Sequence, residues 1–158
     1  MAFSLFSCKS KGQSIESPIY RLTLKTLLSH SVPEINVDMV SLEKTSFILD
    51  TREKKEFNIS SIENARFVGY ENFDLTSIED IPKDANVLIY CSVGYRSEKV
   101  AEKMIENGWA NVSNLYGGIF EWKNQGGTVF DSTGSPTSRV HAFDKTWGRF
   151  LKKGEKVY

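Results

Sequence analysis

Apolar residues along the chain come in two rhythms. From Pro18 onward Ile19, Leu22, Leu24, Leu27 and Leu28 recur at near-helical spacing. Ser17 supplies an N-cap hydroxyl and Pro18 stands at the first helical position, so the pattern predicts a helix that ends near His30. The rhythm then changes to short apolar runs, Ile35 to Val40, Phe47-Ile48-Leu49, Ala65 to Val68 and Val87 to Tyr90, separated by polar or turn-rich segments. Runs of this length read as buried strands. Between them lie helix-forming stretches, Lys54 to Ile59 and the longer Ser97 to Asn107, the second closed by Gly108. Val100, Ala101, Met104 and Ile105 make one stripe of the longer helix, while Lys and Glu occupy the other face.

Strand and helix alternate, and a parallel strand pair needs a crossover that is usually helical. The expected fold is therefore α/β, a parallel central sheet of about five strands with helices on both faces. Residues 1–17 are rich in Ser, Lys and Gly and read as a flexible lead-in to a domain over residues 18–131. Asp131 to Ser138 reads as a loop that opens the last segment, residues 132–158, whose Val140, Phe143, Trp147, Phe150 and Leu151 are expected to pack back on the domain as a tail. No internal repeat is visible.

Composition narrows the classes. A chain of 158 residues with 40% hydrophobic and 25% charged residues suits one globular domain. Twenty basic residues balance twenty acidic ones without long runs of either sign, so no electrostatic footprint for nucleic acid is expected. No apolar run is long enough for a transmembrane helix. The two cysteines, Cys8 and Cys91, are far apart and read as separate free thiols. Leu5 to Lys11 resembles a bacterial lipoprotein cleavage site but has too little apolar sequence before it. Two readings stand, a plain tail with a cytoplasmic location, or a truncated signal with a periplasmic, lipid-anchored one. His30 and His141 lack partners at ligand spacing, so neither metal nor cofactor is expected. The aromatic residues Phe120, Trp122, Phe143, Trp147 and Phe150 read as core and tail packing.

The strongest local feature is the order Val87 to Tyr90 as strand, Cys91 to Arg96 as loop, then the amphipathic helix from Ser97. In open α/β sheets ligands sit at the carboxyl ends of strands, where a following helix points its amino end at them. Cys91 stands at that junction. Loop N–H groups, the helix dipole and Arg96 would each favour its thiolate, and Gly94 lets the backbone curl at positive φ. A cation at a helix amino end is unfavourable, so Arg96 there points to an anionic ligand that offsets the repulsion.

At these residues the chain resembles the rhodanese family over roughly Ile35 to Asp131. Cys91, Gly94 and Arg96, with Ser97 opening the helix, are similar to the family loop C-x-x-G-x-[RS]. Asp50-Thr51-Arg52 through Glu56-Phe57 resembles D-x-R-x-x-x-E-[YF], and Gly117-Gly118 through Trp122 resembles GG-x-x-x-W. Ser60-Ser61-Ile62 departs from the Gly-His-Ile often found before an alanine. Asp50, Arg52 and Glu56 read mainly as a polar network positioning strand ends. The resemblance implies a sulfurtransferase in which Cys91 takes the outer sulfur of thiosulfate, or of a persulfide donor, and passes it to a thiol, to cyanide or to a sulfur-carrier protein. Arg96 would orient the donor, the N–H groups of Ser92, Val93, Gly94 and Tyr95, and Ser97 beside them, would hold the persulfide, and Tyr95 would shape acceptor access. Two alternatives remain: a non-catalytic rhodanese-like binding or regulatory module, which usually lacks the cysteine, and a cysteine phosphatase, whose C-x5-R loop is one residue longer than Cys91 to Arg96.

Overall fold

The computed structural model describes residues 15–158; Cys8, the lipid-anchor reading and most of the expected lead-in lie outside the described residues. Inside that lead-in, Ile15 is buried in the core, so packing begins ahead of Ser17.

Helix α1 (Pro18–Leu27) starts as its cap dictates, with the Tyr20 N–H donating to the Ser17 hydroxyl. Its buried face keeps Leu24 and Leu28 of the expected stripe but not Ile19 and Leu22. Ile19 and Leu22 are 68% and 63% exposed, while Tyr20, Leu24 and Leu28, spaced by four, turn inward. Tyr20 wins because its ring stacks on Phe150 at 4.6 Å and its hydroxyl donates to the Gly117 carbonyl at 2.8 Å.

Strands β1 (Glu34–Ile35), β2 (Phe47–Asp50), β3 (Ala65–Phe67), β4 (Asn86–Tyr90) and β5 (Asn111–Leu115) form one parallel sheet in the order β1-β5-β4-β2-β3. Helix α2 (Lys54–Ile59) crosses from β2 to β3, and α3 (Tyr95–Glu106) crosses from β4 to β5. The α/β expectation holds. The run Ile35 to Val40 pairs only at its start, since Val37–Met39 turns into a 3-10 helix closed by the Met39 N–H on the Asn36 carbonyl. An edge strand with a partner on one side only, interrupted by Asn36 and Asp38, yields readily to a turn. Strand β5, by contrast, was not anticipated, because Asn111, Ser113 and Asn114 break its apolar run.

Central strand β4 divides the interior. Leu88 and Tyr90 face one core with Tyr20, Leu24, Ile119, Phe120, Val140, Phe150 and Leu151. Val87 and Ile89 face the other with Val100, Ala101 and Met104 of α3. Of the stripe expected on α3, Ile105 is instead 37% exposed, and Ser97 and Glu98 are buried in its place. Glu98 accepts the Ser29 N–H at 3.0 Å and so fastens the chain leaving α1.

After α4 (Gly118–Asn124) come two small ribbons, β6 (Val129–Phe130) with β7 (Pro136–Thr137) and β8 (Arg139–His141) with β9 (Glu155–Val157), around the short helix α5 (Lys145–Gly148). A fully buried ion pair links this part to the sheet. Arg52 donates from Nε and Nη2 to Asp50, the latter at 2.6 Å, and from Nη2 to the Ser60 carbonyl at 2.6 Å. The Ser60 hydroxyl then donates to the Arg139 carbonyl at 2.6 Å. Ser60 thus ties the loop after α2 to β8.

Removing one partner of such a pair strands a buried charge. Arg52→Met is expected to lower stability by about 3–5 kcal/mol, read as a shift of the urea midpoint at unchanged slope. A midpoint within error of the parent would show that Asp50 needs no counter-charge.

Candidate active site

Cys91 follows the carboxyl end of β4, the middle strand of the sheet, and the backbone turns there to begin α3. Gly94 makes the turn with φ of +116°, a conformation L side chains rarely adopt, and becomes the N-cap of α3. The helix therefore begins at Tyr95, two residues before the expected start, and takes Tyr95 and Arg96 into its first turn. The Gly94 N–H donates to Cys91 Sγ at 3.1 Å.

Residues of three elements, α3, β5 and α4, hold this loop. The Gly94 carbonyl accepts from the Glu98 N–H at 3.0 Å and from Asn114 Nδ2 at 2.9 Å. Ser97 Oγ lies 2.7 Å from Asn114 Oδ1. The carbonyls of Cys91 and Ser92 accept the Ile119 and Phe120 N–H groups at 2.9 and 3.2 Å, from the start of α4. That approach explains Gly118: a Cβ there would stand 2.4 Å from the Cys91 carbonyl oxygen. Asn114 is a residue beneath the site that sequence reasoning missed, and its signal was the polar character that hid β5.

Arg96 is not the unpaired cation that the sequence suggested. Its Nη1 and Nη2 donate to both oxygens of Glu56, at 2.7 and 3.0 Å, and Nη2 also donates to Ser92 Oγ at 2.9 Å. Ser92 Oγ in turn donates to Glu56 Oε1 at 2.9 Å. The anion offsetting Arg96 at the helix start is a side chain of the protein itself. Glu56 stands in the first turn of α2, where its Oε2 also accepts the N–H of the N-cap residue Glu53 at 2.9 Å. Asp50 and Arg52 pair with each other, as a strand-end network should, while Glu56 joins the site.

The electrostatics follow. Burial pushes the Cys91 thiol up, but the Arg96 charge and hydrogen bonds from Ser97 and Gly94 outweigh it and hold the thiol below its ordinary value. Burial also opposes ionisation of Glu56, yet Arg96, the Glu53 N–H and Arg52 bring its carboxyl down to about 2.

Ser92, Val93, Gly94 and Ser97 are buried around the sulfur, while Tyr95 stands half-exposed at the rim. Cys91 itself is 1% exposed but faces a cavity of about 140 Å³ lined by Leu27, Val93, Tyr95, Arg96, Phe143 and Trp147. Phe143 and Trp147 are thus part of the mouth, whereas Phe120 and Phe150 are core. His141 does not line the cavity; its Nδ1 accepts the Phe143 N–H at 3.1 Å. Among the described residues no cluster of three His, Cys, Asp or Glu side chains could hold a metal.

Residues 35–125 match the family model described as rhodanese-like domain. Among curated proteins, a tRNA uridine(34) hydroxylase of Bdellovibrio bacteriovorus is 27% identical over 128 residues, 78% of this chain and 37% of that protein. A tRNA uridine(34) hydroxylase of Photorhabdus laumondii is 33% identical over 82 residues, 49% of this chain and 23% of that protein. The chain therefore spans only about a quarter to just over a third of the curated relatives it matches. Among solved structures, the rhodanese-like domain of an Anabaena protein superposes with a TM-score of 0.58 at 23% identity, covering 63% of this chain and 80% of that one. A rhodanese-like domain protein of Staphylococcus aureus gives 0.51 at 27%, covering 58% and 91%.

Two measurements check the electrostatics. The pH midpoint of Cys91 alkylation should fall below the value of about 8.5 for a free cysteine, and Arg96→Met should raise it; an unchanged midpoint would remove Arg96 from the account. Because the folded Glu56 carboxyl titrates below the unfolded one, its contribution is complete above about pH 4.5 and is lost as pH falls toward 2, on the order of 3 kcal/mol. Denaturant midpoints at pH 7 and pH 3 should therefore differ less for Glu56→Gln than for the parent.

Proposed function

The chain belongs to the rhodanese-like domain family, and from that premise we propose that it is a sulfurtransferase that carries sulfane sulfur on Cys91. The observation that carries this reading is the Gly94 N–H at 3.1 Å from Cys91 Sγ, at the start of α3 and with Arg96 beside it. A thiolate stabilised there is both nucleophile and good leaving group, and sulfur transfer needs one atom to be each in turn.

In the loading step the Cys91 thiolate attacks the outer sulfur of a donor. A new S–S bond forms to Cys91, the donor's own S–S bond breaks with its electron pair, and sulfite leaves if the donor is thiosulfate, or a thiolate if it is a persulfide. In the unloading step an acceptor thiolate, or cyanide, attacks the outer sulfur of the Cys91 persulfide and regenerates the thiolate. The terminal sulfur is anionic, and the amides of the Ser92 to Arg96 turn, with the amino end of α3, are the groups that would stabilise it. Ser97 supports the same turn.

The six-residue span from Cys91 to Arg96 disfavours phosphate chemistry, since the cysteine-phosphatase loop is one residue longer. Retention of Cys91, Gly94 and Arg96 disfavours a purely binding module. The relatives' name supports a second reading, in which Cys91 serves a reaction on tRNA. The even balance of twenty basic and twenty acidic residues weighs against RNA binding by this chain alone.

Intact-protein mass spectrometry after incubation with a sulfane donor should show a gain of one sulfur atom, lost in Cys91→Ser along with sulfur transfer to a thiol. Activity that survives in Cys91→Ser overturns the reading. Filter retention of tRNA at physiological salt should be absent; retention together with a Cys91-dependent change at a uridine would put the second reading in its place.

A further inference from the structure

The cavity at Cys91 is built from two sources. Val93, Tyr95 and Arg96 come from the loop and helix inside residues 35–125, the segment that matches the family. Leu27 of α1, Phe143 and Trp147 come from outside it. These three added residues are apolar or aromatic, and the surface facing the sulfur is almost wholly apolar. Arg96 is the one charged residue in the lining, and Glu56 engages both of its terminal nitrogens.

The wall is also held in place. Phe143 has a φ of +65°, a left-handed conformation that is a genuine outlier for a bulky residue. It is fixed by its N–H on His141 Nδ1 at 3.1 Å and by its ring, which lies 5.4 Å from the Arg96 guanidinium carbon. Strain of this sort persists only where surrounding contacts impose it, and it gathers at ligand sites. Phe143 is nonetheless 46% exposed, so its ring is a poor contributor to the core and an available contact for a ligand.

From these observations we infer that α1 and the C-terminal tail make the Cys91 site selective for organic sulfane compounds bearing an aromatic or branched apolar group, in preference to inorganic thiosulfate. The inference rests on the sulfur-transfer reading above. Thiosulfate carries two negative charges and offers no apolar surface; in this cavity it meets an already paired guanidinium and aromatic rings, and loses its hydration without full compensation. A monoanionic donor of the type R–SO2–S⁻ needs only the loop amides for its charge, and R takes the place of water against Leu27, Phe143 and Trp147. The volume suits one ring, since a dry apolar cavity of about 150 Å³ accommodates benzene. The chemistry balances: Cys91–S⁻ takes the outer sulfur, the donor S–S bond breaks, and R–SO2⁻ leaves with the electron pair.

The test compares benzenethiosulfonate, methanethiosulfonate and thiosulfate as donors to the full chain, with loading of Cys91 read by mass and turnover by kcat/KM. Benzenethiosulfonate should exceed methanethiosulfonate, which bears the same charge, by tenfold or more, and thiosulfate should be the poorest. Phe143→Ala should collapse the benzene-to-methane ratio by at least fivefold; Trp147→Ala is the second variant, and circular dichroism checks that each is folded. Loading of Cys91 at equal rates by the two thiosulfonates, or fastest by thiosulfate, overturns the selectivity while leaving sulfur transfer intact. Calorimetry with benzenesulfinate and sulfite separates the remaining case. If no donor loads Cys91 but benzenesulfinate still binds more tightly than sulfite, the transfer reading falls and the apolar site stands. If benzenesulfinate does not bind, the apolar site falls as well.

Discussion

A positive charge held beside a buried sulfur is the constraint around which the rest of the molecule is arranged. Burial by itself makes a thiol less acidic, so Cys91 depends on Arg96 and on nearby hydrogen bonds to reverse that tendency. A guanidinium in the same half-buried place has its own desolvation to offset, and Glu56 does this with two hydrogen bonds. Glu56 sits on α2 and Arg96 on α3, the crossovers that follow β2 and β4. Those two strands are neighbours in register, Asp50 opposite Tyr90, and that register brings the amino ends of the two crossover helices together at the carboxyl edge of the sheet. The site's electrostatics thus rest on sheet pairing, and a one-residue slip between β2 and β4 would separate the charges.

The polar residues of β5 make the same point from the other side. Asn114 is fully buried in a strand where an apolar residue would pack more simply, yet its amide ties the Gly94 carbonyl to the Ser97 hydroxyl and closes the turn beneath Cys91. Gly118 is likewise set by proximity, since the backbone of α4 must come close enough for its N–H groups to reach the Cys91 and Ser92 carbonyls. With those carbonyls occupied, the Gly94 N–H is the loop donor that reaches Cys91 Sγ. A turn fastened through three of its carbonyls keeps that donor in place.

How much of this was legible in the sequence follows from which residues obey local rules. β2, β4, α2 and the cap of α1 were readable because their apolar period, turn residues and capping groups agree with the tertiary fold. β5 was hidden because its side chains answer to the loop rather than to strand propensity. Ile19 and Leu22 misled because helical spacing marks a stripe but does not say which of two overlapping stripes has a core to meet; Tyr20, with a ring to stack and a carbonyl to reach, decided it. Cys91, Gly94 and Arg96 were found by spacing, whereas the partner of Arg96 was assigned to an external anion because Glu56 lies forty residues away and only the fold closes that gap.

The tail shows why the additions to the family domain matter to the site. Phe150 stacks on Tyr20, Val140 and Leu151 complete the core on that face of the sheet, and the Ser60 hydroxyl holds the Arg139 carbonyl. The segment carrying Phe143 and Trp147 is therefore pinned on both sides, at β8 by the buried network from Arg52 and at Phe150 by the core. A covering segment anchored at both ends can impose an unfavourable backbone angle on a residue between them, as it does at Phe143. Had the tail served only to bury apolar area, the Phe143 ring would be expected to turn inward. Instead the ring stays partly exposed, lies against the Arg96 guanidinium and lines the cavity that Cys91 faces, which is where a ligand would meet it.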